Sequence, residues 1–168
     1  TKGKTTAAFM LQSIIKAAGE SCGMIGSVST DDGIECYEST NTTPEAPEVW
    51  RHIANCRESG RQSMVMEVSS QALKYQRVEN LPFDVACFLN IGRDHISPIE
   101  HPTFEDYFES KLRIFDQAKT AVVNLGTEEV DRVLEAASTA ERLVTVGVEH
   151  PEASLWASDV RMVGFNIE

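Results

Sequence analysis

The chain has 168 residues, which is the size of one ordinary domain and enough to bury a hydrophobic core. Hydrophobic residues make up 42% of it and charged residues 24%, a globular composition that excludes disorder over most of the length. Lys and Arg number 15 against 26 Asp and Glu, so the formal net charge is −11, which argues against general nucleic-acid binding. A polyanionic ligand must therefore be held by local donors.

The hydrophobic pattern predicts strands that alternate with helices. In chain order we expect a helix at 5–18, a strand at 22–29, a turn at 30–33, a strand at 34–37, a helix at 44–59, a strand at 63–68, a short helix at 69–76, a strand at 84–91, a helix at 103–119, a strand at 120–124, a helix near 127–137, a strand near 142–147 and one or two edge strands in the last 15 residues. The apolar face of the first helix is expected to consist of Ala7, Met10, Leu11, Ile14 and Ala18. This order predicts an α/β fold with a mostly parallel, doubly wound sheet and an antiparallel edge at the C-terminal end.

The apolar runs and the cysteine spacing of the sequence give little support to a membrane or redox function. No apolar run approaches the ~20 residues that a membrane helix needs, and no signal peptide opens the chain, so we expect no membrane partner and a cytoplasmic location. The cysteines lie far apart and form no C-x-x-C pair, which favours reduced thiols in the core over a zinc or redox site. They are Cys22, Cys36, Cys56 and Cys87.

The first chemical signal is a phosphate-binding loop at the start of the first helix. In Gly3-Lys4-Thr5-Thr6 the glycine lets the backbone approach a phosphate, and the exposed amides and dipole of the helix start favour its charge. Lys4 would neutralise the β and γ phosphates, and the Thr5 hydroxyl would ligate Mg²⁺. The alternative is an exposed tail before a helix that Thr5 caps. The loop normally follows a strand, and none precedes it here, so we expect residues 1–168 to be a single domain excised from a longer chain.

Two further signals follow the ends of predicted strands. Glu67 ends the strand at 63–68, where a carboxylate can hold a second Mg²⁺ or orient its water, although a solvated strand edge is the simpler interpretation. The segment Asn90-Ile91-Gly92-Arg93-Asp94-His95 follows the next strand, and its histidine could bind a metal or a phosphate. A single histidine is more often solvated, and the same expectation applies to His52, His101 and His150.

The fourth signal is a lysine on an apolar helix face. Lys111 lies within a stripe at helical spacing that consists of Phe104, Tyr107, Phe108, Leu112 and Phe115. A buried lysine is costly unless it is neutral or paired, so its stem could pack on the core while its amine reaches water. The other interpretation is functional: a lysine with a lowered pKa reacts with CO₂, and the carbamate is an anion that can position Mg²⁺.

These motifs together resemble the central, ATP-binding domain of the Mur ligase family, whose sheet is of the P-loop NTPase-like type. The likeness is greatest to the members that add the third residue to UDP-N-acetylmuramoyl-L-alanyl-D-glutamate (the MurE type). The matching stretches, in the family's order over residues 1–118, are Thr1–Thr6, Asn41-Thr42-Thr43-Pro44, Met66–Leu73, Arg77-Val78, Asn90–His95 and Tyr107–Phe115.

The resemblance implies a set of site residues. The ATP loop would comprise Thr1, Gly3, Lys4, Thr5 and Thr6, with Thr5 on the first Mg²⁺. Glu67 and His95 would ligate the second Mg²⁺, and Lys111 would be the carbamylated lysine. The positions that contact the UDP-muramoyl-peptide would be Asn41, Thr42, Thr43, Ser69 and Arg77. Lys4, Lys111, His95 and Glu67 would thus carry the catalysis.

Three positions depart from the family pattern. Gln71 stands where a histidine is usual, and Tyr75 stands where some members have a substrate-contacting glutamine. Residues 96–100 make the interval from His95 to Lys111 about two residues longer than the resemblance leads us to expect. The first two departures affect the substrate contacts, and the third suggests a subgroup with a different loop.

The activity implied by the resemblance is ATP-dependent amide-bond formation through an acyl phosphate, adding an amino acid to UDP-N-acetylmuramoyl-dipeptide in peptidoglycan precursor synthesis. The family's N-terminal UDP-binding and C-terminal amino-acid-binding domains have no counterpart here, so we expect the isolated chain to be inactive and the full enzyme to be a monomer. Three alternatives remain open at this point. They are a folylpolyglutamate- or cyanophycin-type ligase, a P-loop kinase or GTPase (which the lack of an N-K-x-D motif disfavours), and a nucleotide-binding segment without activity of its own.

Overall fold

The computed structural model describes residues 2–93, 96–163 and 166–167. They form two compact units, which we call the first unit (Gly3–Asn80) and the second unit (Leu81–Glu168 together with Thr1–Lys2). Each unit combines helices with its own four-stranded sheet, which confirms the predicted α/β class. In the part of the chain that the structure describes, no helix is both long and apolar enough to cross a bilayer.

The first unit is built around a mixed sheet with the strand order β3-β2-β1-β4. Its elements are α1 (Lys4–Ala17), β1 (Cys22–Ile25), β2 (Ser29–Asp31), β3 (Cys36–Glu38), α2 (Ala46–Glu58), β4 (Ser63–Met66) and α3 (Ser70–Lys74). The buried central strand β1 pairs in parallel with β4, so both strands end at the same edge of the sheet. The pairs β1–β2 and β2–β3 are antiparallel.

The strand predicted at 22–29 ends at Ile25, and after a tight turn β2 begins at Ser29 and takes up part of the segment predicted as a turn at 30–33. The Gly26 amide donates to the Ser29 carbonyl at 3.1 Å and closes the turn. A Cβ on Gly26 would lie 2.6 Å from Glu67 Oε1, so the backbone there passes closer to the carboxylate than a side chain permits. Hydrophobicity alone does not mark this break, because the residues on both sides of the turn suit a strand.

The buried face of α1 is not the one that the apolar pattern predicts. Met10 and Ile14 are 62% and 66% exposed, whereas Ala8 and Gln12 are buried and Ile15 packs against the core beside β1. The small side chain of Ala8 suits close packing of a helix on a strand. The Gln12 amide is satisfied because its Nε2 donates to the Cys22 carbonyl at 3.3 Å.

The turn between β2 and β3 is organised by the buried carboxylate of Asp32. Its Oδ1 accepts the amides of Ile34 and Glu35 at 2.9 and 2.7 Å, and its Oδ2 accepts from Asn55 and His52. Burial raises the pKa of Asp32, but these hydrogen bonds outweigh burial and lower the pKa to about 2. Asp32 is therefore ionised at neutral pH.

We expect the Asp32 contribution to stability to disappear in acid. Because the folded pKa is about 2 and the ordinary value is 3.8, the stabilisation is fully present above pH 3.8 and is lost as the pH falls through about 2. Urea unfolding of the wild-type chain and of Asp32→Asn, measured between pH 2 and 6, checks this. The stability difference between the two proteins should be constant above pH 5 and shrink toward pH 2; a difference independent of pH would contradict the assignment.

The second unit is built around a parallel sheet with the strand order β5-β6-β7-β8. Its elements are β5 (Phe83–Phe88), α4 (Phe104–Leu112) continued by a 3-10 turn (Arg113–Gln117), β6 (Ala118–Asn124), α5 (Val130–Ala137), β7 (Arg142–Val148), β8 (Leu155–Ala157), β9 (Met162–Val163) and β10 (Asn166–Ile167). The antiparallel pair β9–β10 lies at the C-terminal end, where an antiparallel edge was expected, and among the described strands it forms a separate two-stranded sheet.

Two of the four histidines contradict the expectation of a solvated ring, because His52 and His101 are fully buried. Each buried ring is hydrogen-bonded to a carboxylate, which replaces a hydrogen bond to water that burial removes. His101 Nδ1 lies 2.7 Å from Asp106 Oδ2 and its ring packs on Tyr107, while His52 Nδ1 lies 2.6 Å from Asp32 Oδ2. Sequence gives no sign of these partners, since each pair meets only through the tertiary fold or a loop.

The prediction of core thiols is right for two of the four cysteines. Cys22 and Cys56 are buried, and burial raises the pKa of the Cys56 thiol. Cys36 and Cys87 are exposed, and Cys36 lies on β3, where all three residues are exposed. All four are free thiols.

Candidate functional site

The N-terminus of α1 has the backbone geometry of an anion site. Gly3 caps the helix with φ of 84°, a left-handed conformation that glycine adopts without strain. No described side chain caps this end, and the first residues of a helix have no intrahelical acceptor for their amides. These amides and the helix dipole favour a negatively charged ligand.

The carboxylate of Glu67 lies directly beside this helix start. Glu67 follows β4 and is only 3% exposed, so it does not occupy a solvated strand edge. Its Oε2 accepts the Thr5 hydroxyl at 2.8 Å, which joins two residues that are 62 positions apart in sequence. The first unit thus brings the phosphate-loop threonine and the strand-end carboxylate together, as the parallel pairing of β1 with β4 requires.

Ser27 completes the surroundings of Glu67, and the sequence analysis did not identify it. The Ser27 amide donates to Oε1 at 2.8 Å, and its hydroxyl lies 3.3 Å from Oε2. The signal that could have found Ser27 is its place just after β1, at the same sheet edge as Glu67. Because the predicted strand continued through Gly26 to residue 29, Ser27 was not recognised as a residue at the end of a strand.

Four of the five residues predicted to contact the UDP-muramoyl-peptide, the acceptor substrate, lie near the end of β4. They are Thr42, Thr43, Ser69 and Arg77. The Thr43 hydroxyl donates to the Glu67 carbonyl at 2.9 Å and accepts the Ser69 amide at 3.0 Å. Arg77 donates to the Thr43 carbonyl at 3.2 Å, and the hydroxyls of Thr42 and Ser27 are 3.0 Å apart. We call Asn41–Thr43 the NTT loop.

Ser69 and Asn41 of the predicted acceptor group differ in the surroundings of their side chains. The Ser69 hydroxyl caps α3 by accepting the Ala72 amide at 3.1 Å. Asn41 is exposed and lines a cavity of about 620 Å³ between the hairpin β2–β3 and the start of α2.

The second unit holds Lys111 in a half-buried position on α4. Its Nζ donates to the Asn90 carbonyl at 2.7 Å and lies 5.0 Å from the Phe88 ring centre and 5.4 Å from that of Tyr107. The Asn90 side chain makes two further bonds, since its Oδ1 accepts the Lys2 amide at 3.0 Å and its Nδ2 donates to the Lys2 carbonyl at 2.9 Å. Thr1 and His95, which the sequence analysis also selected, lie outside the described residues.

Comparison with known proteins decides the family. The family model of the Mur ligase middle domain matches residues 1–167. The chain belongs to the Mur ligase family. The resemblance inferred from the motifs is therefore confirmed, and it extends over nearly the whole chain.

Two curated relatives illustrate the family relationship. A UDP-N-acetylmuramoyl-L-alanyl-D-glutamate–L-lysine ligase of Streptococcus suis is 43% identical over 141 residues, which cover 84% of this chain and 29% of the relative. A UDP-N-acetylmuramyl-tripeptide synthetase of Bifidobacterium longum is 41% identical over 177 residues, which cover 99% of this chain and 34% of the relative. The chain thus spans about a third of the length of the curated Mur ligases that it matches.

Solved structures share the fold. A UDP-N-acetylmuramoyl-L-alanyl-D-glutamate–2,6-diaminopimelate ligase superposes with a TM-score of 0.87 at 23% identity, covering 99% of this chain and 34% of that one. MurF from Acinetobacter baumannii superposes with a TM-score of 0.72 at 19% identity, covering 96% of this chain and 32% of that one.

The donors around Glu67 fit a magnesium ion of the kind that Mur ligases use. The side chains of Thr5, Ser27 and Glu67 offer only oxygen atoms, which are the ligands that Mg²⁺ prefers. The carboxylate is buried and carries no basic partner among its described contacts, so a cation is the counter-charge that suits it.

Proposed function

We propose that this chain is the ATP-binding part of a ligase that joins an amino acid to UDP-N-acetylmuramoyl-dipeptide in peptidoglycan precursor synthesis. The single observation that carries the proposal is the 2.8 Å contact between the Thr5 hydroxyl and the buried Glu67 carboxylate, at a helix start that Gly3 caps. Family membership and the activities for which the relatives are named support the substrate class.

The reaction would begin with transfer of the γ-phosphoryl group of ATP to the terminal carboxylate of the dipeptide. This step gives an acyl phosphate and ADP. The amino group of the incoming amino acid then attacks the acyl carbon, and the tetrahedral intermediate expels phosphate to leave an amide. Because two anionic groups must meet, the work of the protein is positioning and charge neutralisation.

The first unit would supply the phosphate binding. The backbone amides that open α1 would donate to phosphate oxygens, and the Lys4 ammonium would neutralise the β and γ phosphates. The resemblance places Thr5 and Glu67 on two different Mg²⁺ ions; because the two side chains are in contact here, they would share one ion, which would lower the repulsion between the phosphates and the attacking carboxylate. Glu67 is already oriented for this role by the Ser27 amide.

The acceptor would bind along the NTT loop. Thr42 and Thr43 are fixed by hydrogen bonds to Ser27 and to the backbone after β4, so the loop is held beside the carboxylate. Arg77 is paired with Glu45 at 2.7 Å and keeps the C-terminal side of the loop in place. Asn41, which is exposed, would donate to the acceptor directly.

Lys111 would act as a carbamate in the second unit. Its neutral amine would attack CO₂, forming an N–C bond and releasing one proton, and the carbamate oxygens would bind Mg²⁺ together with His95. The aromatic rings of Phe88 and Tyr107 lie close to the Lys111 amine, and the Asn90 carbonyl holds that amine in place. Amino-acid specificity would depend on parts of a full-length ligase outside the matched third.

We expect Lys4→Ala to weaken ATP binding about ten- to a hundredfold, because a charge-assisted contact to phosphate is lost. Isothermal titration of this chain with ATP and Mg²⁺ measures the effect. Lys16→Ala is the matched control, since Lys16 is an exposed lysine in the last turn of the same helix. Equal ATP affinity in Lys4→Ala and Lys16→Ala would contradict the phosphate-loop assignment.

The acceptor class is tested by coupled ADP release in a full-length ligase that carries this segment. We expect turnover with UDP-N-acetylmuramoyl-L-alanyl-D-glutamate and an amino acid, and none with a folate acceptor and glutamate. The opposite preference would assign the chain to the folylpolyglutamate type.

A further inference from the structure

A series of hydrogen bonds through the buried residues Asp32 and His52 joins the β2–β3 hairpin to helix α2. It runs from Asp32 to His52 Nδ1 at 2.6 Å, and from His52 Nε2 to the Tyr37 hydroxyl at 2.9 Å. Asp32 and His52 are both fully buried, whereas the Tyr37 ring is partly exposed. The mechanism proposed above uses none of these three residues.

The ligand atoms of Asp32, Glu35 and His52 lie within 4.8 Å of one another, which suggests a metal site at first sight. The hydrogen bonds argue against it. Both Asp32 oxygens accept two bonds each, both ring nitrogens of His52 are engaged, and Glu35 is paired with Arg51. A metal would have to displace most of these partners. The cluster is therefore better explained as a hydrogen-bonded link between the β2–β3 hairpin and α2.

The bond between Asp32 and His52 has a defined direction. Because the ionised Asp32 carboxylate can only accept, His52 must donate to it from Nδ1, and the other ring nitrogen, Nε2, is left to bond the Tyr37 hydroxyl. This assignment fixes the phenol oxygen in one place at the wall of the cavity that Asn41 also lines.

In the sequence, the NTT loop lies between the two elements that the Asp32–His52–Tyr37 hydrogen bonds join. It begins just after β3, which carries Tyr37, and it ends just before α2, which carries His52. A further bond, between the hydroxyls of Thr30 and Ser39 at 2.9 Å, holds the N-terminal side of the loop to β2. The segments on both sides of the loop are thus bonded to the β2–β3 hairpin, and its last residue, Thr43, is bonded to the backbone of Glu67.

We propose that Asp32, His52 and Tyr37 are positioning residues for the acceptor: they hold the hairpin against α2 and thereby fix the NTT loop, with Asn41 turned to the substrate side. The inference rests on the proposed function, because it assigns the loop to the acceptor. Residues outside the loop would thereby affect how tightly the muramoyl-peptide binds. The binding of ATP would still depend on the start of α1.

Tyr37→Phe is the sharpest test, because it removes only the hydroxyl and leaves a partly exposed ring. In a full-length ligase that carries this segment, we expect the KM for UDP-N-acetylmuramoyl-L-alanyl-D-glutamate to rise about three- to tenfold, which is the range expected for one lost hydrogen bond. The kcat and the KM for ATP should stay within about twofold. In this chain, amide hydrogen exchange of residues 39–45 should become faster.

Trp50→Phe is the matched control, since Trp50 is an exposed aromatic residue on the same helix α2. It should change neither the exchange of the loop nor the KM for the acceptor. Unchanged exchange, or faster exchange with an unchanged acceptor KM, in Tyr37→Phe would overturn the positioning role while leaving the proposed function intact. A wild-type enzyme that does not turn over the muramoyl-dipeptide would instead overturn both.

Discussion

Replacing Lys111 by alanine should reduce ligase turnover in a full-length enzyme to below about a thousandth of the wild-type rate. The proposed carbamate supplies a negative charge that binds Mg²⁺, and losing such a preorganised charge costs a hundred- to a thousandfold or more in comparable sites. Coupled ADP release with saturating ATP and acceptor measures the rate. A thermal melt of the variant checks that α4 still packs, because the Asn90 carbonyl loses its contact with Nζ.

The rescue of this variant is the more specific part of the test. Formate or acetate should restore part of the activity of Lys111→Ala, since a small carboxylate can occupy the place of the carbamate and offer two similar oxygens. Lys119→Ala is the control, because Lys119 is an exposed lysine paired with Asp84. Wild-type-like turnover in Lys111→Ala would remove Lys111 from the mechanism, and a dead variant that no short acid rescues would contradict the carbamate.

The sequence predicted the order and type of most elements because each rests on a local pattern. The apolar strand at 63–66 and the amphipathic helix that carries Tyr107 and Phe108 are such cases. The Thr103 hydroxyl caps this helix by accepting the Asp106 amide at 3.1 Å, a local contact that threonine commonly makes at a helix start. These features depend on neighbours within one or two turns of the chain, so one sequence contains the information.

The errors occur where distant parts of the chain compete with local preference. The apolar stripe of α1 suggested that Met10 and Ile14 are buried, yet the helix packs through Ala8 and satisfies Gln12 on the backbone of β1. Periodicity locates an apolar face, but the shape of the sheet and the available hydrogen-bond partners decide which face packs. The burial of His52 likewise depends on Asp32, twenty residues away.

The candidate site was predictable to the extent that parallel strands end at one edge. That rule points to residue 67 as a strand-end carboxylate, and the structure brings its Oε2 to the Thr5 hydroxyl at the start of α1. The rule could not identify Ser27, because the predicted strand ran through the turn at Gly26. The close approach of Gly26 to Glu67 is a tertiary constraint that no local pattern records.

Glu67→Gln should lower ligase turnover at least about a hundredfold and remove most of the Mg²⁺ dependence of ATP binding. Glutamine has the same shape and can still accept the Ser27 amide through its oxygen, so the fold around β4 should persist. What it lacks is the negative charge, and a neutral amide oxygen is a much weaker ligand for a hard divalent cation. Titration of this chain with ATP at several Mg²⁺ concentrations gives a readout that does not require catalysis.

Glu20→Gln provides the control, because Glu20 is an exposed carboxylate of the same unit, just after α1. Both variants lose one negative charge, so a change caused only by the overall field of this acidic protein would affect them equally. A Mg²⁺ dependence in Glu67→Gln that matches Glu20→Gln would mean that the buried carboxylate only orients Thr5 and Ser27. A selective loss in Glu67→Gln would instead identify the strand-end carboxylate as the group that links metal to nucleotide, which its burial beside the helix start physically favours.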